Sequence, residues 1–243
     1  MPKLTLLRAL LCALVATLLC GCAAPAIRTP EIDKSVKSVA VISLLDEQTR
    51  VERIGLTAFN NKAVVIDQTG TLNGLAIDTI EATLRASRPT WVLKDARSEV
   101  GAMLAAKKAG GTSWSSQVSA FQKELAELGK KLDVDLMFVV VDFNLENSPG
   151  RGVGVRLRTM SLSSVSEATV HSVCLLVLVD RNGKEIMNRW GGPATYAKIP
   201  AASLGLDYDL SAIDSPETKE KLKALMRERL KASLSSSSGA MGY

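Results

Sequence analysis

Residues 136–141 read LMFVVV, a run that is apolar at every position. A strand that is apolar on both faces lies in the middle of a sheet, with helices packed on both sides. The residues just before it have the apolar spacing of an amphipathic helix, three and four residues apart. These apolar positions are Val118, Phe121, Leu125, Leu128 and Leu132. A helix that leads directly into a buried strand predicts an α/β fold.

Strands and helices are predicted in alternation upstream of this run. Residues 38–45 read SVAVISLL, a β-branched segment with the length of a buried strand. Residues 72–87 place apolar side chains on one side of a helix, which ends before Pro89. A second helix is predicted over residues 97–108, and shorter strands are predicted over residues 61–66 and 90–93.

A β-hairpin is predicted downstream. Residues 168–179 and 184–190 flank a turn that contains Asn182-Gly183, the dipeptide that type I′ turns prefer. Residues 153–160 alternate between apolar and polar side chains, and we expect them to pair alongside the hairpin. Helical crossovers give parallel strand pairs and a hairpin gives an antiparallel pair, so the predicted sheet is mixed.

The last predicted element is a helix. Ser215 is expected to be its N-cap, with Pro216 in its first turn. Residues 235–243 read SSSSGAMGY, a composition that predicts a disordered tail. We therefore predict one α/β domain over residues 38–234. Its architecture is a single mixed-sheet sandwich flanked by helices, with an antiparallel C-terminal hairpin and a terminal helix.

The first 21 residues have the features of a signal peptide. Lys3 and Arg8 form a positively charged start, and an apolar run of 11 residues follows at positions 9–19. This run is shorter than the ~20 residues that a membrane-spanning helix needs. Residues 1–21 are therefore predicted to be a targeting segment that is removed.

Residues 19–22 read LCGC and resemble the lipobox of bacterial lipoproteins. The resemblance implies cleavage before Cys22 and acylation of this cysteine, and several acyl chains anchor a protein firmly in a membrane. Residues 22–37 would then form the lipidated cysteine and a tether. Ala23 replaces the aspartate that retains lipoproteins in the inner membrane. This implies an outer-membrane lipoprotein whose domain faces the periplasm.

Residues 64–72 read VVIDQTGTL and contain the sharpest candidate for catalysis. An apolar strand followed by Asp-x-Thr-Gly-Thr resembles the phosphorylation loop of P-type ATPases and the first motif of haloacid-dehalogenase-like phosphatases. The resemblance implies that Asp67 is the nucleophile of a magnesium-dependent phosphohydrolase. Thr69 stands where those phosphatases carry a second aspartate. The alternative interpretation is a strand with a polar turn into a helix.

The other chemistry-bearing residues predict no catalytic or metal site. His171 is the single histidine and lies in a predicted strand, where a structural role is expected. Cys174 is the single cysteine after Cys22, and its apolar neighbours predict a buried side chain. No metal-ligand spacing is present, and no cofactor is expected. Residues 150–154 read GRGVG and are interpreted as a flexible loop before a strand.

The charge of the chain excludes nucleic acid as the expected partner. The net charge of +5 falls to +3 without residues 1–21, and ten aromatic residues in the whole chain offer few stacking platforms. Basic residues are not clustered with aromatic ones. The expected partners are a membrane, through the lipid anchor, and an envelope protein or polymer.

The order of the predicted elements is similar to that of periplasmic α/β lipoproteins of the curli-secretion type, the LpoB type and the N-terminal domain of TolB. In those proteins a strand-turn-strand with Asp-x-x-Gly-x-x-Ile closes the domain, and Asp180, Gly183 and Ile186 match it here. Residues 54–61 (IGLTAFNN) are similar to a segment of uncharacterised proteobacterial lipoproteins. The resemblance implies a non-enzymatic accessory or binding factor. A structural or oligomer-forming envelope lipoprotein is a further alternative.

Overall fold

The computed structural model of the chain describes residues 34–55, 61–109, 121–144, 150–161, 164–206 and 210–243. The predicted signal peptide, Cys22 and most of the tether lie outside these residues. So does Val118, at the start of the helix predicted before the LMFVVV run.

The described elements alternate between strands and helices, which confirms the predicted α/β class. In chain order they are β1 (Ser38–Leu44), β2 (Gln48–Ile54), β3 (Lys62–Asp67), α1 (Leu72–Ser87), β4 (Val92–Lys94), α2 (Arg97–Ala109), α3 (Gln122–Leu132), β5 (Leu136–Asp142), β6 (Gly152–Ser161), β7 (Ser164–Asp180), β8 (Glu185–Trp190), β9 (Tyr196–Pro200) and α4 (Pro216–Met241). Two of these strands, β2 and β9, were not predicted.

The strands that the structure describes form one mixed sheet of nine strands, organised around β7. The path through the sheet is β3-β2-β6-β7-β5-β1-β4, and β8 and β9 also pair with β7. The first part of β7, up to Val173, pairs with β6 and β9. The second part, from Cys174, pairs with β5 and β8. We call the strands on these two sides the β6 half and the β5 half of the sheet.

Two apolar cores hold the layers together. One core lies between the sheet and helices α1 and α4, and it receives Phe138 and Val140 from β5. The other lies between the β5 half and helices α2 and α3, and it receives Met137, Val139 and Val141. All seven residues of β5 are buried, as the LMFVVV run predicts for a strand covered on both faces. Full burial of one such side chain stabilises the fold by about 1.5–3 kcal/mol.

The predicted hairpin is confirmed, but its turn is not of type I′. A type I′ turn needs positive φ at both central residues, whereas only Gly183 has positive φ in this turn, at 73°. The Gly183 N–H donates to the Asp180 carbonyl oxygen at 2.9 Å, as in a type I turn. The Asp180 carboxylate also accepts hydrogen bonds from the N–H groups of Asn182 and Lys184, at 2.8 and 2.9 Å. These side-chain bonds hold the turn in a different conformation from the one that Asn-Gly alone favours.

The prediction of a disordered tail over residues 235–243 is wrong, because α4 continues to Met241. Ser237 and Ser238 are buried, and their hydroxyls donate to the carbonyl oxygens of Ser233 and Leu234, each at 3.0 Å. The buried hydroxyls are therefore satisfied inside the helix, while their small size lets the helix approach the sheet. The ring of Tyr243 then packs edge-on against Phe138, with ring centroids 5.1 Å apart.

Candidate ligand-binding site

A cavity of about 500 Å³ lies at the carboxyl ends of the neighbouring parallel strands β1 and β5. Its volume is within the range of small-molecule sites. In open α/β sheets, ligands bind at this end of the strands. The connection after β1, the end of β5, the start of β6 and the middle of β7 contribute to its lining. The polar side chains of this lining include Asp46, Glu47, Arg50, Glu52, Asp142 and His171.

The cavity borders a face of the β6 half that carries exposed side chains. Strand pairing aligns one residue from each strand in a row across this face, namely Val65, Arg50, Gly154, His171 and Tyr196. Val65 and Tyr196, at the two ends of the row, are 52% and 43% exposed. We call this surface the open face, because α1 and α4 pack against the opposite side of the same strands.

His171 lies in the middle of this row and is 4% exposed. Its Nδ1 is 3.1 Å from the carbonyl oxygen of Gly152. A neutral ring in this position donates from Nδ1 and keeps its lone pair on Nε2. The pKa of His171 is lowered to about 4, chiefly by burial and to a smaller extent by Arg156, whereas the Gly152 carbonyl and Glu52 oppose the shift.

Three glycines at alternate positions make room for this arrangement. A Cβ at Gly150 would overlap the imidazole ring of His171, and one at Gly154 would lie 3.0 Å from the same ring. Gly152 has a φ of 61°, and a Cβ there would lie 2.6 Å from Oδ1 of Asp142. Residues 152–154 belong to β6, so their interpretation as a flexible loop is wrong. Close packing against Asp142 and His171 explains the glycines instead.

The carboxylates around the cavity are held by backbone donors. Glu47 accepts the N–H groups of Gly70 and Asn73, at 2.9 and 3.1 Å, and so fixes the start of α1. Asp142 is 3% exposed and accepts the N–H of Asp46 at 3.0 Å. These bonds connect the loop after β1 to both α1 and the end of β5.

The remaining charged groups divide into a paired set and an unpaired set. Glu52 and Arg156 face each other on β2 and β6, with an Nη2–Oε2 distance of 3.4 Å. The guanidinium groups of Arg50 and Arg151 are exposed and make no ion pair or hydrogen bond within the described ranges of the chain. Asp46 is also exposed, and its Oδ1 accepts the N–H of Gln48 at 3.0 Å. The lining therefore contains four carboxylates beside these two guanidinium groups.

Asp67, the candidate nucleophile, does not line this cavity. It ends β3, and its Oδ1 accepts hydrogen bonds from the Thr69 N–H at 2.9 Å, the Thr69 hydroxyl at 2.6 Å and the Gln48 amide at 2.9 Å. The Thr69 hydroxyl is the largest cause that lowers the pKa of Asp67. These bonds are typical of a carboxylate that closes a turn. The described residues contain no group of three or more histidines, cysteines and acids that could hold a metal ion.

Cys174 is fully buried in the core beneath α4, as its apolar neighbours predicted. Its sulfur lies 3.3 Å from the hydroxyl oxygen of Ser172. His171 precedes these two residues on β7 but points to the opposite side of the strand from Cys174. The structure therefore brings His171 to the cavity, together with Arg50, Arg151 and Asp142, which the sequence did not predict as site residues.

Known proteins offer little direct comparison. No protein-family model and no curated protein match the chain. Among solved structures, the crystal structure of lipoprotein GNA1162 from Neisseria meningitidis is similar at 13% sequence identity and a TM-score of 0.23, covering 67% of this chain and 79% of that chain. This similarity assigns neither a family nor a function. In the part of the chain that the structure describes, no helix is long and apolar enough to cross a membrane.

Proposed function

We propose that the chain is an envelope lipoprotein, anchored by lipid on Cys22, whose α/β domain binds a protein or an envelope polymer as a non-enzymatic accessory factor. The anchor is supported by the LCGC sequence at residues 19–22 after a short apolar run. The proline-containing segment 23–37 gives the domain a tether. Ala23 after the cysteine supports the outer membrane as the location, with the domain in the periplasm.

The observation that carries the binding role is the open face. It presents the exposed apolar side chains of Ile54, Val65 and Tyr196 on the same side of the sheet as Arg50 and Arg158. Exposed apolar groups that share one surface mark interaction sites in soluble domains. Tyrosine and arginine are also the residue types that dominate the binding energy of protein interfaces.

The anchor is tested by replacing Cys22 with alanine and following the incorporation of labelled palmitate in cells. We expect the Cys22→Ala variant to lose the label and to stay at precursor length. Cys20→Ala is the matched control, because position 20 tolerates substitution in the lipobox. Membrane fractionation then locates the labelled protein. Equal labelling of the two variants would show that Cys22 is not the acylated residue.

The binding surface is tested with a photo-crosslinking amino acid placed at Val65 or at Tyr196. The control position is Lys231, which is exposed on α4. We expect adducts of a discrete mass from the two open-face positions and none from position 231. An adduct of twice the chain mass would instead identify a second copy of the chain as the partner. Identical patterns at all three positions would count against the open face as the binding surface.

A further inference from the structure

We propose that two copies of the chain associate through strand β3, whose outer edge pairs antiparallel with the same edge of a second copy, with Val65 on the two-fold axis. The pairing joins the sheets of the two copies into one continuous sheet. This inference goes beyond the proposed function, since it concerns neither the lipid anchor nor the partner that binds the open face.

The first argument is the position of β3 at an edge of the sheet. Among the strands that the structure describes, β3 pairs with β2 and with no other. The Gln68 N–H donates to the Glu47 carbonyl oxygen at 2.9 Å, which fixes the hydrogen-bonding pattern of this antiparallel pair. Residues two and four positions before Gln68 therefore direct their backbone groups to β2, whereas Ala63, Val65 and Asp67 direct theirs outward. Such a row of outward N–H and C=O groups is a template for a further strand.

The second argument is that β3 differs from the other strands at the edges of the described sheet. Residues 63–66 read AVVI, without proline, glycine or a register shift, and the Val65 side chain is 52% exposed. By contrast, β4 has three residues, β9 ends at Pro200, and the pairing of β8 with β7 contains a register shift. Short strands, prolines and bulges are features by which proteins prevent pairing at an edge. Strand β3 is therefore the edge that suits a partner strand.

The third argument is that the edge is complementary to itself. A two-fold axis at Val65 places Val65 opposite its own copy and Ala63 opposite the partner's Asp67. Residues with outward backbone groups then face each other at all three positions and exchange hydrogen bonds, as in an isologous interface. On the face that packs against α1 and α4, the same register places Val64 opposite the partner's Ile66, which extends the apolar core across the axis.

The charges at the two ends of β3 favour a second copy in antiparallel orientation. Lys62 begins the strand and Asp67 ends it. Antiparallel pairing brings the first end of one copy beside the last end of the other, so that unlike charges share each end of the interface. Parallel pairing would bring like charges together. The edge therefore fits a second copy of the chain in the antiparallel orientation that its hydrogen-bonding pattern requires.

The first experiment places a cysteine on the two-fold axis. In the proposed pairing the Cα atoms of residue 65 in the two copies lie about 5.5 Å apart, which is within the range of a disulfide. Full-length Val65→Cys protein in detergent micelles is treated with a mild oxidant and separated by electrophoresis without reductant. We expect a species of twice the chain mass that reductant removes. The controls are the wild type, in which Cys174 is buried, and Tyr196→Cys, since Tyr196 is similarly exposed at the far end of the same row.

The second experiment measures the mass of the unmodified assembly by sedimentation in density-matched detergent. We expect a dimer for the full-length wild type and a monomer for Val65→Lys at the same concentration, because the axis places the two lysine side chains directly opposite each other. Tyr196→Lys is the matched control and should remain a dimer. Circular dichroism reports whether each variant is folded, and the exposure of Val65 means that the lysine leaves the core of one copy unchanged.

Three results would overturn the proposal. The first is a monomeric wild type. The second is an equal yield of disulfide at positions 65 and 196, which would mean that the copies only collide within a micelle. The third is a folded Val65→Lys variant that is still a dimer. None of these results bears on the acylation of Cys22 or on the photo-crosslinked adduct at position 196, so a failure of this proposal is distinguishable from a failure of the proposed function.

Discussion

His171 and Gly154 lie opposite each other on neighbouring antiparallel strands, and a Cβ at residue 154 would come within 3.0 Å of atoms Cε1 and Nε2 of the imidazole ring. The same Cβ would lie 2.7 Å from the carbonyl oxygen of Arg50 on the other neighbouring strand. The histidine ring therefore occupies the space of the absent side chain. This relationship buries an ionisable group on a face whose other residues are largely exposed.

Gly154→Ala is expected to lower the free energy of unfolding by about 1–3 kcal/mol, because the added methyl group has no free space. Gly74→Ala is the control, since nothing lies within 4 Å of a Cβ at that helical position. The control should raise the free energy of unfolding by about 0.5–1 kcal/mol, the helix preference of alanine over glycine. Urea unfolding followed by circular dichroism measures both. Equal midpoints would contradict the packing of His171 against residue 154.

Acid is expected to destabilise the domain through His171. The unfolded side chain takes up a proton near its ordinary pKa of 6.5, whereas burial lowers the pKa of the folded one to about 4. The unfolded state therefore binds more protons between these values, and the free energy of unfolding falls as the pH falls through this window. The loss reaches about 3 kcal/mol at the acid end. Urea unfolding at a series of pH values measures it.

His171→Gln is the control for this pH dependence. Asp67, Glu99, Asp135 and Glu220 also have lowered pKa values, but they start from ordinary values of 3.8 or 4.5 and so contribute only in stronger acid. The slope of the free energy of unfolding against pH, just below the ordinary histidine pKa of 6.5, therefore reports on His171. We expect the slope to disappear in the variant. A slope that persists there would assign the effect to another group.

Tyr243→Ala is expected to lower the free energy of unfolding by about 2 kcal/mol, as truncation of a partly buried aromatic side chain does. The tyrosine ring contacts Phe138 and Trp91, at centroid distances of 5.1 and 5.7 Å, and lies 5.1 Å from the Arg88 guanidinium carbon. Ser236→Ala is the control, because Ser236 is exposed on α4, the helix that precedes Tyr243. The control should be neutral or slightly stabilising. Thermal unfolding measures both variants. Equal melting temperatures would contradict the packing of Tyr243 and would support the prediction of a disordered tail.

Asp67→Asn tests the phosphohydrolase alternative. We expect wild type and variant to release phosphate from p-nitrophenyl phosphate with magnesium at the same background rate. The reason is that Asp67 closes a turn, through three hydrogen bonds from Thr69 and Gln48 to its Oδ1, and does not line the cavity. Asparagine keeps an acceptor in this position, so the turn should remain folded. Magnesium-dependent hydrolysis by the wild type that the variant lacks would establish the enzyme.

The elements that the sequence predicted correctly are those with a local apolar pattern. The LMFVVV strand and the helix at residues 72–87 need no information from distant residues. Strand β2 was not predicted, because two of the three residues on its buried side are polar. These residues are Thr49, Val51 and Arg53, so the strand lacks the alternation of apolar and polar side chains that predicts a strand. Thr49 tolerates burial since its hydroxyl donates to the Ile66 carbonyl oxygen at 2.9 Å, a contact with another strand.

The site was less predictable than the fold, because it depends on strand register. Gly154 meets His171 only in the observed pairing of β6 with β7, and a shift of one residue would separate them. Arg50 lies on β2, a strand that was not predicted from the sequence. The serine-rich end was misread for a similar reason, since the partners of Tyr243 lie more than a hundred residues away in the chain.

Strand β7 also has a consequence for how the domain forms. It borders β6 and β9 along its first part and β5 and β8 along its second, so each half of the sheet lacks its central strand until residues 164–180 are in place. A nascent chain that stops before them leaves β5 and β6 with open edges that invite aggregation. We therefore expect both halves to fold together in one late and slow cooperative step, since most of their strand pairs join distant segments.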